Sequence, residues 1–357
     1  MLLRLTSLVW RPTTKGLRGW SLASVIANAV IISTGAAVRL SSSGLGCPDW
    51  PTCTKSSAVA AHSVGQTTLN TWIEFSNRLL NFPLVAIAGL TFIAFLRYYQ
   101  TAGRTRKDLV WLSAVLPLGV VAQAVVGGIV VLTRLNPALV AAHFLLSTAI
   151  ILSSAVVLYA RASALAAAAA GSPAAPPVRR DLRVLAGVLT AITGLMLAAG
   201  TVVTGTGPLA GTTIDSHGHT TTVPRFHFSL TSVTQLHADI GWFICALALA
   251  LVIGLRFASG SRRTMRLGWM VLGGIALQGV IGYVQYFNHL PAGLVWVHVS
   301  NAVVVWIFVL QLYLSTGTNL PRSAQTAAEE PRSAQQARQQ PGQRADEAAP
   351  AVKTTLL

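Results

Sequence analysis

The chain has 357 residues, of which 53% are hydrophobic and only 10% charged, where a soluble protein of this length carries about a quarter charged residues. Its net charge of +16 would suit a nucleic-acid partner, but the basic residues are spaced between apolar blocks rather than clustered on one segment. That pattern excludes an ordinary soluble domain and points to a chain threaded through a membrane.

The apolar blocks each run for about 18 to 25 residues, the length that crosses a bilayer core. They predict spans at 20–39, 71–96, 109–132, 139–160, 184–204, 233–255, 267–288 and 294–315. The segments between alternate spans hold Arg4, Arg11, Lys15 and Arg18, then Arg97, Arg104, Arg106 and Lys107, then Arg161, Arg179, Arg180 and Arg183, then Arg256, Arg262, Arg263 and Arg266. Of the 26 basic residues, only Arg39, Lys55, Arg134 and Arg225 fall on the other side, and Arg78 lies within a span. This is the positive-inside pattern, and it predicts a multi-pass protein of the cell membrane with both termini cytoplasmic. The charge then reflects topology and calls for no nucleic acid. The first block is read as a retained span rather than a cleaved signal, since its loss would break the alternation.

Between the first two blocks lies the outer loop "GLGCPDWPTC", with Cys47 and Cys53. Two cysteines this close on an oxidising face usually pair, and their spacing suits neither a zinc ribbon nor covalent haem attachment. The second block opens with "TWIEFSNRLLN", which places Glu74, Asn77 and Arg78 at i, i+3 and i+4 on one helical face. Ionisable groups inside a span are costly and mark function or pairing. The simplest reading is an ion pair between Glu74 and Arg78.

The predicted organisation is a cytoplasmic N-terminus (1–19), a first four-helix half (20–160), a cytoplasmic linker (161–183), a second four-helix half (184–315) and a polar, disordered tail (316–357). The halves align. "QAVVGGIVVLTRLNPALVAAHFLLS" from Gln123 matches "QGVIGYVQYFNHLPAGLVWVHVSNA" from Gln278 without a gap, pairing Gly127 with Gly282, Leu135 with Leu290 and His143 with His298. A weaker match lays "STGAAVRL" over "LAAGTVVTG" and "EFSNRLL" over "TQLHADI", setting Asn77 against His237 and Glu74 against Thr234. The expected fold is therefore all-α and membrane-integral, with eight transmembrane helices as two tandem parallel four-helix bundles related by a pseudo-two-fold axis.

In that arrangement Asn77, His143, His237 and His298 form one layer, a turn or two below the outer ends of spans 2, 4, 6 and 8. Facing histidines in a four-helix bundle are the usual means of holding a haem by its iron, and His237 and His298 make such a pair. The first half keeps His143, offers an amide in place of the second imidazole, and adds Glu74. Other loop histidines, His62, His217, His219, His227 and His289, are expected to be solvated.

"TGAAVRLSSSGLGCPDWPTC" followed by "IEFSNRLL" resembles the signature of the haem A synthase family, over roughly residues 18–316. The resemblance implies oxidation of the C8 methyl of haem O to a formyl by successive hydroxylation, for assembly of haem-A-containing terminal oxidases. It implies haem b as cofactor on His237 and His298, and haem O as substrate near His143 and Glu74; an acid beside that porphyrin is placed to take or give a proton, which makes Glu74 the expected catalytic residue. Asn77, Arg78 and Arg39 become haem contacts, Cys47 and Cys53 a disulfide, and haem O synthase and an electron-transfer protein the partners. The chain departs from the family at Asn77, where the pattern Glu-x-x-His-Arg has histidine, and at Leu209, where a histidine is also expected. A di-haem electron-transfer cytochrome would account for the histidines without Glu74 or the cysteine loop. A parallel-repeat transporter would account for the repeat alone.

Overall fold

The computed structural model describes residues 11–61, 67–173, 177–214, 220–258 and 260–317. Among the described residues, eight helices of 24 to 34 residues are long and apolar enough to cross a membrane. At 1.5 Å per residue the shortest is about 36 Å long, enough for a hydrocarbon core of about 30 Å. In chain order the spans are Thr14–Leu40, Thr68–Thr101, Lys107–Leu132, Pro137–Ala169, Arg180–Thr206, Leu230–Phe257, Arg262–Phe287 and Ala292–Ser315. The predicted tail from 318 on, the first ten residues, and His62, His217 and His219 lie outside the described residues.

Every span is longer than its apolar block predicts, by a few residues at one or both ends. The backbone continues into polar sequence until a side chain caps it. Thr13 Oγ1 accepts from Gly16 N at 3.1 Å, Thr67 Oγ1 from Asn70 N at 3.1 Å, and Ser261 Oγ from Thr264 N at 3.2 Å. Asn136 Oδ1 accepts from Ala138 N at 3.1 Å, with Pro137 opening the fourth span. The largest correction concerns the linker expected at 161–183. "RASALAAAA" is helical to Ala169, and the next span starts at Arg180, because alanine is the strongest helix former. The connection shrinks to the residues between them, turned by Gly171 at φ +73°.

Two spans are not continuous α-helices. The second breaks at Leu80, between Thr68–Leu79 and Asn81–Thr101. Pro83 explains it, since proline lacks an N–H and clashes with the carbonyl four residues back, here that of Leu79. The fourth carries a π-helical turn over Leu146–Leu152, between Pro137–Leu145 and Ser153–Ala169. The sixth and eighth spans run unbroken.

Spans 1 to 4 close into a ring in which each touches the next and the fourth returns to the first, and spans 5 to 8 do the same. The rings meet where span 8 packs on spans 1 and 4 and where the start of span 4 meets span 5. One buried cluster, around Phe95, Leu116, Ile151 and Leu158, extends across that seam to Leu197, Val303 and Trp306; a second, around Leu189, Leu251 and Leu255, belongs to spans 5 to 8. The internal match is legible in the backbone. Arg134 and Leu135 adopt left-handed φ of +54° and +60°, and their counterparts His289 and Leu290 adopt +61° and +59°.

A third cluster caps the end that holds the cysteine loop, joining Leu45, Val130, Val131 and Leu135 to Ala210 and Val223. Beside it a short antiparallel hairpin pairs β1 (Thr212–Ile214) with β2 (Thr220–Thr222), a minor exception to the expected all-α fold. Trp50 of the cysteine loop lies against Gly128 so closely that a β-carbon there would overlap its indole. Gly128→Ala should therefore lower the apparent melting temperature of the solubilised protein, by an overpacking cost of about 1–3 kcal/mol. In a Trp50→Ala background the same substitution should cost less, the coupling expected of residues in contact; thermal unfolding of the four proteins measures it.

Candidate functional site

Each of the three span histidines lies on a glycine of a neighbouring span. A β-carbon built on Gly127 would sit 3.2 Å from His143 Cε1, one on Gly200 3.2 Å from His237 Cε1, and one on Gly282 3.3 Å from His298 Cε1. These glycines therefore let an imidazole approach the backbone of the facing helix where any side chain would push it out. The repeat gave two of the three pairs; Gly200 completes the set. Its weaker counterpart in the first half, Gly35, has nothing within 4 Å of a built β-carbon, which matches the absence of an imidazole at Asn77.

The Nδ1 atoms of His143, His237 and His298 are buried and have no hydrogen-bond partner, and neither does Asn77 Oδ1. A buried polar atom without a partner is costly; each of these Nδ1 atoms lies on the side of its ring that faces the glycine, 3.7 to 3.9 Å from the built β-carbon. The rings of His237 and His298 face one another with centroids 6.3 Å apart, inclined at 52°. Two imidazoles bound to one ion at about 2 Å each have centroids about 6 Å apart, so this spacing would admit a shared metal ion between the two rings. Among the described residues no group of three or more His, Cys, Asp or Glu is placed to hold a bare metal ion.

Two glutamines that head the repeat hold the histidine backbones. Gln123 Nε2 donates to His143 O at 2.9 Å and to Ser147 Oγ at 2.5 Å, and Gln278 Nε2 donates to His298 O at 3.0 Å. Asn301 Nδ2 in turn donates to Gln278 Oε1 at 2.6 Å. Sequence reasoning used Gln123 and Gln278 only as the ends of an alignment; their identity at matched positions was the available signal.

The Glu74 carboxylate is buried and takes the Arg78 Nε hydrogen at 2.5 Å through Oε1, while its Oε2 has no partner. The rest of the Arg78 guanidinium turns to the cysteine loop. Nη1 donates to Asp49 O and Thr52 O, both at 3.1 Å, and Nη2 to Cys47 O at 2.9 Å. Cys47 and Cys53 are joined by a disulfide and are 0% and 1% exposed. Arg78 therefore clamps the loop, whereas the sequence suggested a contact with haem. Arg39, expected to play a similar part, donates from Nη2 to Thr204 O at 3.0 Å and so ties span 1 to span 5, with its Nε unpartnered. Leu209 falls in the turn Pro208–Ala210. His227 and His289 are exposed, as expected of solvated residues.

The model of the COX15-CtaA family, described as cytochrome oxidase assembly protein, matches residues 18–310. A curated "Heme A synthase" of Lysinibacillus sphaericus (strain C3-41) is 28% identical over 133 residues, covering 37% of this chain and 40% of the relative. Those of Geobacillus thermodenitrificans and Geobacillus kaustophilus (strain HTA426) are 29% and 30% identical over 120 and 117 residues, covering 33% and 32% of this chain and 34% and 33% of the relatives. The chain thus aligns with two-fifths or less of the length of these curated relatives. The family match runs through all eight spans and takes in the cysteine loop, the Glu74–Arg78 pair and the histidine layer: the chain belongs to the COX15-CtaA family.

Proposed function

We propose that this protein is a haem A synthase, which oxidises the C8 methyl of haem O to a formyl by successive hydroxylation. The observation that carries the reading is the set of three span histidines, each laid on a glycine of the facing span, with the rings of His237 and His298 6.3 Å apart. Family membership and the names of the relatives support it. The halves divide the work. Residues 184–315 hold haem b between His237 and His298, and residues 20–160 receive haem O at His143.

A bound haem iron supplies the redox chemistry, and the chain does the rest. His143 orients the substrate from one face. Asn77 takes the place of a second imidazole, and as a poor ligand for iron it leaves that face weakly held. The free Oε2 of Glu74 is the acid–base group of the first half and has no counterpart at Thr234. Arg78 holds the other carboxylate oxygen, so the direction of Oε2 is set by the loop that Arg78 clamps. We place both termini in the cytoplasm, the histidine layer near the outer face, and haem O synthase and a membrane electron carrier as partners.

His237→Ala or His298→Ala should each abolish a low-spin b-type absorption spectrum. A normal spectrum from both variants would refute the second-half site. Glu74→Gln should fold and retain that spectrum while cellular haem A falls by ~100-fold, as for loss of a general acid–base group. Haem O or its hydroxylated intermediate should accumulate on reverse-phase chromatography of extracted haems. Wild-type haem A would reduce Glu74 to the partner of Arg78. Arg78→Gln should release the loop, so that Cys47 and Cys53 are reduced and alkylated faster under mild reductant, as followed by mass spectrometry; an unchanged rate would show that the clamp does not restrain the loop.

A further inference from the structure

Both first-half spans that contribute to the layer break three residues past their site residue: span 2 at Leu80 after Asn77, and span 4 at Leu146 after His143. The break in span 2 has a proline. The π-helical turn Leu146–Leu152 has neither proline nor glycine in its sequence, LSTAIIL, so something outside the helix must hold it.

A π-turn inserts one residue into a helical turn, and so rotates the helix before it by about 100° relative to the helix after it. It also releases carbonyls from the regular ladder, and inside a bilayer these must find donors within the protein. Thr148 O has two. Trp306 Nε1 donates to it at 3.1 Å, and Ser153 Oγ at 3.1 Å. Trp306 Nε1 also lies 3.0 Å from Ser153 Oγ, closing a three-membered network. Trp306 belongs to span 8, on the same helix as His298 and eight residues, or about 12 Å, further along it. It is 6% exposed, and its ring rests on Gly194 of span 5, where a β-carbon would lie 3.5 Å from Cη2.

The second half has no such device. The positions that match Thr148 and Ser153 are Val303 and Phe308, and span 8 remains α-helical below His298. The distortion is therefore confined to the helix of His143, and its donor comes from the helix of His298.

We propose that Trp306 is a positioning residue for the first half: its indole N–H holds the π-turn below His143 and thereby fixes the direction in which that imidazole faces. This rests on the reading of His143 as an iron ligand. It makes the second half's helix part of the first half's binding geometry, since span 8 presents His298 to one haem and sets the angle of His143 for the other.

The test uses the full chain in lipid nanodiscs, with Trp306→Phe, which keeps the ring and loses the donor, and Trp306→Phe/Ser153→Ala, which removes both donors to Thr148 O. Without haem, amide exchange across residues 144–154 should speed up about fivefold in the single variant, the size of one net hydrogen bond, and further in the double. Exchange across 292–300 should stay at the wild-type rate. With hemin added and reduced with dithionite, the low-spin spectrum of the His237–His298 site should be retained, while the iron–histidine stretching band of the first-half haem shifts and its affinity falls about tenfold. Unchanged exchange in both variants would overturn the proposal. So would equal acceleration at 292–300 or loss of the low-spin spectrum, which would make Trp306 a general packing residue. Faster exchange with an unshifted band would also overturn it, because the turn would then not act on His143. His143→Ala, measured in parallel, separates the two ideas: wild-type first-half binding there defeats the ligand reading, while the exchange arm still decides whether Trp306 holds the turn.

Discussion

A lipid core offers no water to a backbone carbonyl or a guanidinium, and the structure is arranged around that constraint. Near the site and at the π-turn, named side chains take up helix carbonyls. Gln123 and Gln278 reach the carbonyls of His143 and His298. Trp306 and Ser153 take the carbonyl of Thr148. Arg78 is placed at the bundle end, where the loop carbonyls of Cys47, Asp49 and Thr52 can absorb its donors beside the single carboxylate of Glu74. The atoms left over are then informative. They include Asn77 Oδ1, the Nδ1 atoms of His143, His237 and His298, and the second oxygen of Glu74.

Much of this was legible in the sequence. The spans follow from the length of the apolar blocks, and the matched histidines with their glycines and glutamines follow from the gap-free match of Gln123–His143 to Gln278–His298. Span ends were misplaced because hydropathy reports where lipid contact stops and not where the helix stops. The alanine run after Arg161 was read as a linker for its small residues, though its helix propensity governs its structure. Pro83 was a visible signal for the break at Leu80. LSTAIIL holds no signal for a π-turn, since the cause lies on a helix more than 150 residues away. Arg78 was placed on the right face beside Glu74, but its other partners are backbone carbonyls of a loop, and a carbonyl leaves no mark in a sequence.

The two halves share a frame and differ in how it is finished. The turns at Arg134–Leu135 and His289–Leu290 have the same uncommon left-handed backbone, and the glycine beneath each matched histidine is retained. In the second half two imidazoles face one another across continuous helices. In the first half one imidazole is replaced by Asn77, the glycine opposite is uncovered, both site helices are broken, and an acid is added.

The left-handed turn at Leu135 has a mechanical consequence. It presents the leucine to both loops at that end of the bundle: a β-carbon on Gly44 of the cysteine loop would lie 3.0 Å from Leu135 Cδ1, and one on Gly211, at the edge of the hairpin, 3.5 Å from the same atom. One methyl group is thus the shared footing of two loops that follow spans of different halves. Moving either loop away exposes the same apolar side chain to water, so displacing both costs less than the sum of displacing each alone.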